Sequence, residues 1–312
     1  ISGGNERVNA RLGISGEQNE AFYDGAGEQI FIDNTQTDLQ YNRTADVLGS
    51  LGMQLNEQQS LDLLAQYYDS GNHGSTGIYF PNLDYNAPSD LEDAELRSGY
   101  SAGLEPRTRR LLLNANYHHS DVLDQDFYLQ ASYRKEDDNF YPFPYYNRAT
   151  PTGARGVYFA ASQQNFEVSS LKGLFAKQWD TLKLTYGVDL DRERFSAEQT
   201  TFNAQTSSES GGLDLEKESK AARYPSYRVD GVSLYGQLDW RATDNLTLSG
   251  GARRQQMDVD VSDFKGVPGG SNDYQVNLFN VGAIYDFKNG HQAWANYGEG
   301  FDLPDPAKYY GK

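Results

Sequence analysis

The residues best suited to bind a ligand lie in one aromatic segment, residues 139–159, which reads NFYPFPYYNRATPTGARGVYF. Its candidate binding side chains are five aromatic residues and two arginines: Tyr141, Phe143, Tyr145, Tyr146, Tyr158, Arg148 and Arg155. Aromatic rings beside guanidinium groups suit a compact anionic ligand that has apolar edges. Aromatic residues in such number either form a binding surface or fold onto neighbouring loops. The sequence leaves these two interpretations open.

Two shorter segments have the same character. One contains Tyr79 and Phe80, and the other contains Arg223 and Tyr224. All three segments fall in connections between predicted strands, on the same side of the predicted sheet. We therefore expect them to converge, and we add these four residues to the candidate binding set.

Other reactive residue types give weaker signals. His118 and His119 suggest a metal site, but adjacent residues on a strand point in opposite directions, which favours solvated or interfacial histidines. The acidic pairs at 137–138 and 191–193 could hold calcium or face lipopolysaccharide, although solvated loop charge is the simpler interpretation. The sequence contains no cysteine and offers no Ser/His or Asp/His set to nominate. We therefore predict neither an enzyme nor a resident metal or cofactor.

Composition narrows the class of protein. The chain has 312 residues, a net charge of −17 and 38% hydrophobic residues, below the roughly 45–50% of an average soluble domain. Its 13% aromatic content argues against disorder, which is poor in aromatic residues. No apolar run reaches the length of about 18 residues that a membrane helix needs. The acidic balance disfavours a nucleic-acid partner, which would require a basic face.

Hydrophobic residues alternate with polar ones from end to end, and this period of two predicts strands. We predict eleven strands, at residues 5–16, 38–55, 58–70, 107–118, 126–138, 164–178, 182–197, 228–241, 246–262, 274–287 and 291–301. Most are long enough to cross a bilayer at a tilt, which takes about 9–11 residues. The sequence therefore predicts an all-β, antiparallel transmembrane β-barrel meander.

The alternation also assigns the two faces of the predicted sheet. The residues expected to face lipid are Leu111, Leu113, Leu129, Ala131, Leu184, Val188, Leu234 and Leu238. The residues expected to face inward are Arg110, Gln130, Ser132, Thr185 and Tyr235. A sandwich with one solvated face is the alternative, but aromatic residues collect near the strand ends as they do in membrane barrels.

The connections between these strands alternate regularly between long and short. Short turns on one side and long loops on the other are typical of a barrel with a periplasmic rim and an external rim. Bacterial barrels have even strand numbers and must close, so eleven strands should be part of a larger barrel. We treat residues 1–312 as one barrel fragment, with further strands expected outside it.

Residues 297–312, YGEGFDLPDPAKYYGK, resemble the strand-to-loop signature of TonB-dependent siderophore receptors. The run from Leu303 to Gly311 is most similar to the ferric-aerobactin, or citrate-hydroxamate, group. The resemblance implies an outer-membrane barrel of 22 strands that imports a ferric siderophore. It also implies an N-terminal plug, outside residues 1–312, that fills the barrel. It also implies coupling to TonB–ExbB–ExbD through the plug region and contact with lipopolysaccharide, with iron arriving as a siderophore complex.

Two other functions fit a barrel of this kind. A passive porin would have an open lumen and fewer strands, and the long loops and terminal signature favour the receptor. An outer-membrane lipase or protease would need a catalytic set at the external rim, and none is evident in the sequence.

Overall fold

The computed structural model describes residues 1–32, 40–87, 91, 93–146, 156–287 and 290–307. Within them the chain forms seventeen strands and one short helix. The elements are β1 (Ser2–Gly4), β2 (Val8–Asn19), β3 (Asn42–Gln54), β4 (Gln59–Asn72), β5 (Thr76–Tyr79), β6 (Glu95–Ser98), β7 (Ser101–Ala102), β8 (Arg107–His119), β9 (Asp126–Asn139), β10 (Phe143–Tyr146), β11 (Val157–Gln178), β12 (Leu182–Phe202), α1 (Ala204–Glu209), β13 (Asp214–Leu215), β14 (Lys217–Arg241), β15 (Leu246–Val261), β16 (Gly270–Phe287) and β17 (His291–Gly298).

One large sheet carries the fold. Its strands follow the order β1-β2-β3-β4-β8-β9-β11-β12-β14-β15-β16-β17, and β10 pairs with β11. Every pairing in this sheet is antiparallel. The eleven long strands match the eleven predicted ones in number and order, so the antiparallel meander is confirmed. The described part of the sheet is open, with β1 and β17 at its edges.

The long and short connections fall on opposite sides, as predicted. The short ones span 55–58, 120–125, 179–181 and 242–245, and the long ones span 20–41, 73–106, 140–156, 203–216 and 262–269. Side chains close the tight turns. Asn56 Oδ1 accepts from the Gln58 N–H at 2.9 Å, and Thr243 Oγ1 accepts from the Leu246 N–H at 3.0 Å, as short polar turn residues commonly do.

Three strands extend by five residues or more beyond the predicted spans. β11 begins at Val157 instead of 164, β12 continues to Phe202 instead of 197, and β14 begins at Lys217 instead of 228. Much of the predicted loop sequence is therefore strand that extends the wall outward. Val157 and Phe159 at the start of β11 are buried against the loops. Their apolar side chains are thereby removed from water, as lipid removes the apolar side chains of the lower part of the strand, and this burial stabilises the extension.

The long connections contain small elements of their own. β5 pairs with β6, and β7 pairs with β13 in the one parallel arrangement among the described residues. These elements and α1 all lie outside the predicted strand spans, so they do not disturb the meander. Within the described ranges, no helix is long and apolar enough to cross a membrane.

The strand registers place the two predicted sets of side chains on opposite faces. Leu171 lies opposite both Ala131 and Leu190, and Val188 lies opposite Leu234; side chains opposite each other share a face. Following these pairs across the sheet, all eight residues predicted to face lipid share one face. The five residues predicted to face inward share the other. The predicted register is therefore confirmed.

The polar face is lined by paired side chains. Arg110 contacts Glu136 at 2.6 Å, and Arg253 contacts Asp189 at 2.9 Å. The Asp189 side chain is only 5% exposed, whereas Leu234 on the apolar face is 59% exposed. In a soluble protein, leucines are usually buried and acidic residues exposed, and this sheet shows the reverse at these two positions. Such a distribution is typical of a barrel wall between lipid and an aqueous lumen.

Candidate functional site

Ten of the buried hydrophobic residues form one cluster at the outer ends of the strands. We call this cluster the loop core. Its members are Ile78, Phe80, Tyr100, Leu104, Tyr141, Val157, Phe159, Ala161, Phe202 and Leu215. They come from three long connections and from the extended ends of β11 and β12. The loop core therefore fixes these connections to the wall.

Specific contacts join the 73–106 connection to Tyr141 and to the extended end of β11. The rings of Phe80 and Phe159 lie 6.1 Å apart, and Tyr100 stacks on Tyr141 at 5.3 Å. The Ile78 N–H donates to Tyr141 Oη at 3.4 Å. Burial raises the pKa of Tyr141 and that of Tyr100 well above the ordinary value. Both phenols therefore stay neutral and act as packing groups.

A small pocket of about 210 Å³ lies beside the loop core. We call it the aromatic pocket. Its lining residues are Phe140, Tyr141, Phe143, Tyr145, Ala160, Ser162, Gln164 and Arg223. The pocket brings a cluster of rings together with one guanidinium group and two neutral polar side chains.

Register shows which way the aromatic pocket faces. Phe143 lies opposite Ala160 and Tyr145 lies opposite Tyr158. Tyr158 and Ala160 lie at even-numbered positions of β11, as does Ser170 on the polar face. No register shift occurs between them, so all three side chains point to the same face. The pocket therefore lies on the lumen side of the wall, at its outer end.

The structure separates the predicted site residues into three groups. Tyr141, Phe143, Tyr145 and Arg223 line the aromatic pocket. Tyr158 lies 5.8 Å from the ring of Tyr145, and Tyr224 lies 5.4 Å from the guanidinium of Arg223. Both therefore border the pocket.

The second group lies apart from the pocket. Phe80 is 5% exposed and belongs to the loop core. Tyr79 lies under the guanidinium of Arg97, 3.8 Å from its ring centre. Phe80 is therefore packed against neighbouring loops.

The third group is not placed by the structure. Arg148 and Arg155 lie outside the described residues. Tyr146 lies in β10, and its backbone pairs with Val157 of β11. The side chain of Tyr146 is outside the described part.

The predicted binding set omitted Ser162 and Gln164, which line the pocket, and it left out Phe140 although that residue lies in the predicted aromatic segment. The Ser162 side chain is of most interest, because the residue is 6% exposed and its hydroxyl has no hydrogen-bond partner within the described part of the chain. Alternation along residues 157–164 could have identified Ser162 and Gln164. It places them on the same face of the strand as Tyr158 and Ala160, opposite Val157 and Phe159.

The two histidines have structural partners. The ring of His118 stacks on Tyr128 at 4.4 Å, and its Nε2 lies 3.1 Å from Asp126 Oδ1. His119 Nδ1 accepts from the Asp121 N–H at 3.1 Å. No group of three or more potential metal ligands occurs among the residues described.

Comparison with known proteins places the chain in a family. The family model described as "TonB dependent receptor-like, beta-barrel" matches residues 16–312. The chain is 39% identical over 324 residues to the rhizobactin receptor of Rhizobium meliloti (strain 1021), covering 98% of this chain and 43% of that protein. It is 33% identical to the ferric aerobactin receptor of Klebsiella pneumoniae, covering 100% of this chain and 44% of that protein.

Solved structures share the fold at low sequence identity. The copper transporter OprC superposes with a TM-score of 0.69 at 17% identity, covering 97% of this chain and 43% of that one. The unliganded ferric citrate transporter FecA superposes with a TM-score of 0.61 at 15% identity, covering 95% and 39%.

The chain spans less than half the length of the curated relatives it matches. Those relatives are transport receptors of the outer membrane and not enzymes. The match over nearly the whole chain, together with the meander and its two faces, shows that this chain belongs to the TonB-dependent receptor-like β-barrel family of the bacterial outer membrane.

Proposed function

We propose that the intact protein imports a ferric siderophore across the outer membrane by TonB-coupled active transport. The observation that carries this proposal is the similarity to receptors named for rhizobactin and ferric aerobactin, which extends over 98–100% of this chain. The similarity favours the receptor over the passive porin that sequence alone left as an alternative.

The aromatic pocket supports the proposal chemically. A ferric siderophore is a compact anionic complex with apolar edges, which aromatic walls and a guanidinium fork suit. Phe143 and Tyr145 supply the walls, and Arg223 supplies the charge. A buried hydroxyl without a partner costs about 1–3 kcal/mol, so the Ser162 hydroxyl is poised to gain from a ligand atom.

The size of the pocket limits its role. Ligand sites usually measure about 300–1,000 Å³, and this pocket measures about 210 Å³. It therefore holds one part of the siderophore, and other residues complete the site. We assign the remaining contacts to Tyr158 and Tyr224 at its border, and to Tyr146, Arg148 and Arg155 in the same connection. Tyr79 and Phe80 hold the loops in place instead.

The proposal includes partners beyond the siderophore. TonB with ExbB and ExbD would supply energy, and the external part of the wall would contact lipopolysaccharide. Ferric iron enters as part of the siderophore and is therefore cargo, and no resident cofactor is proposed.

Equilibrium binding of ferric rhizobactin and ferric aerobactin to the intact receptor tests the site. Arg223→Ala should weaken binding by about 2–5 kcal/mol, because the ligand charge is left unpaired. Tyr145→Ala should cost less unless its ring is a central anchor. Arg97→Ala is the matched control, because Arg97 pairs with Glu95 and stands outside the pocket.

The same assay applied to Arg148→Ala and Arg155→Ala tests the rest of the connection. Each barrel is first checked for folding by its heat-dependent mobility in gels. If all of these variants bind both siderophores as tightly as Arg97→Ala, the aromatic pocket and its connection are not the site. If the unaltered receptor binds neither siderophore, the proposed substrate class is wrong.

A further inference from the structure

A second cation lies near the aromatic pocket on the lumen face. Gln164 lines the pocket, and Phe166 stands two residues further along β11, toward the short-turn rim. Residues two apart on a strand share a face and lie about 7 Å apart. The guanidinium of Arg134, on the neighbouring strand β9, lies 5.4 Å from the centre of the Phe166 ring. Gln164, Phe166 and Arg134 therefore form a continuous path that leads away from the pocket along the wall.

Register places Arg134 on the lumen face. It lies opposite Val168, an even-numbered position of β11 like Ser170, and no register shift separates the two. The Arg134 side chain is exposed on this face. On the other face of β9, Tyr133 is the last apolar residue before Lys135. Arg134 therefore stands at the outer end of the hydrocarbon layer, on the side of the wall that a ligand entering the lumen meets.

No carboxylate forms an ion pair with Arg134 among the residues the structure describes. The two acids nearest to it on the lumen face have other partners. Glu136 contacts Arg110 at 2.6 Å, and Glu193 accepts a hydrogen bond from Tyr227 Oη at 2.8 Å. The charge of Arg134 is thus available to an anionic ligand.

Arg223 on the other side of the pocket has the same property. Its guanidinium lies 5.4 Å from the ring of Tyr224, and within the described ranges it has no carboxylate partner. Arg134 and Arg223 are therefore two cations on one face, each packed near an aromatic ring and neither neutralised by an acid.

The separation of the two arginines suits a ligand with two anionic groups. Arg134 is on β9 and Arg223 on β14, three strands apart in the sheet, which is about 14 Å at the usual strand spacing. Arg223 stands beside the row of Gln164, and Arg134 stands in the row of Val168, about 13 Å further along the strands. One small anionic group can reach only one of these positions. A ligand with two separated anionic groups can reach both.

We propose that Arg134 is a second ligand-binding residue of the siderophore site, and that the site selects ferric siderophores with two separated anionic groups. Arg223 binds one group in the aromatic pocket, and Arg134 binds the other through charge-assisted hydrogen bonds. Phe166 holds the Arg134 guanidinium in place by cation–π attraction. This inference rests on the proposed function and extends its site beyond the pocket.

The test compares equilibrium binding of ferric aerobactin and ferric rhizobactin to the intact receptor and to variants of Arg134. Arg134→Met removes the charge and keeps an extended side chain. It should weaken binding by about tenfold or more, the loss expected when a hydrogen bond to a charged group is removed. Arg134→Lys keeps the charge and should retain most of the affinity. If Arg134 only packed against Phe166, methionine would replace it well, and Arg134→Met would bind as tightly as the unaltered receptor.

Arg11→Met is the matched control. Arg11 shares the lumen face, because its row runs through Ser50 and Asn114 to Ser132. It also has no carboxylate partner in the part of the chain that is described, but β2 lies four strands from β9 in the sheet. Arg11→Met should therefore bind as tightly as the unaltered receptor. An equal loss in Arg11→Met and Arg134→Met would indicate a general effect of lumen charge and would overturn the proposal.

Two outcomes separate this inference from the proposed function. If the unaltered receptor binds either siderophore and Arg134→Met binds it equally tightly, the inference is wrong and the proposed function stands. If the unaltered receptor binds neither complex, the proposed function fails and the inference fails with it. Each barrel is first checked by its heat-dependent mobility in gels, and Arg134→Gln takes the place of a methionine variant that does not fold.

Discussion

Phe80 and Phe159 pack with their ring centres 6.1 Å apart, although one belongs to the connection after β5 and the other to β11. Through this contact the connection that spans 73–106 is held against the outer end of the wall. The aromatic pocket shares Tyr141 with this loop core. The long aromatic connections that the sequence suggested as ligand-binding loops thus have a hydrophobic core of their own.

Truncating Phe159 should loosen the loops without unfolding the barrel. The side chain is 2% exposed, and Phe→Ala changes at buried sites cost about 3–5 kcal/mol. Phe159→Ala should therefore speed protease cleavage within 73–106, while the heat-dependent gel mobility of the barrel persists. Phe143→Ala is the control, because Phe143 is 37% exposed. Equal protease resistance in the two variants would show that the loop core does not hold the loops.

Gly212 should tolerate no side chain. Its φ is +88°, and an added Cβ would lie 2.7 Å from Cζ of Phe159. Gly27 has a similar φ of +84° but nothing within 4 Å of an added Cβ. Gly212→Ala should therefore cost about 1–3 kcal/mol more than Gly27→Ala, the usual penalty of overpacking. Thermal melting of the purified receptor compares them, and equal melting temperatures would contradict the close approach.

The orientation of β9 is testable with a pair of adjacent substitutions. Leu129→Arg places a charge on the apolar face, which costs about 2–4 kcal/mol near the bilayer midplane. Gln130→Arg places the same charge on the polar face and should cost much less. Folding into lipid vesicles over a range of urea concentrations measures both. The reverse order of stability would place β9 in the opposite orientation.

The buried Asp189 and the half-buried Arg253 should behave as a unit. Removing one partner of a buried ion pair typically costs about 3–5 kcal/mol, since the other charge is left uncompensated. Arg253→Met should therefore destabilise the barrel strongly, and adding Asp189→Leu should recover part of the loss. Guanidinium unfolding in detergent provides the comparison. Additive losses in the double variant would show that the two residues do not interact.

The alternation of residue types predicted most of the wall. The strand at 126–138 was predicted from its alternation alone, and the structure places β9 at Asp126–Asn139. Arg254 departs from the pattern, because it lies opposite Leu234 on the apolar face. A long arginine can keep its charge near water while its stem lies along apolar surface.

The candidate site was less predictable. Its aromatic residues were visible in the sequence, but burial in the loop core depends on contacts between residues far apart in the chain, such as Tyr100 and Tyr141. Arg223 reaches the aromatic pocket from a stretch of β14 where the register to β12 shifts repeatedly. A period of two cannot locate such shifts, so the partners of Arg223 could not be deduced.

The most direct test of the account is uptake of radiolabelled ferric rhizobactin and ferric aerobactin by iron-starved cells that lack other receptors for them. Cells expressing the intact protein should accumulate iron from at least one of the two, and deleting TonB should abolish this accumulation. Uptake that persists without TonB would indicate a passive channel. No uptake of either complex, with the barrel folded in the outer membrane, would contradict the proposed substrate class.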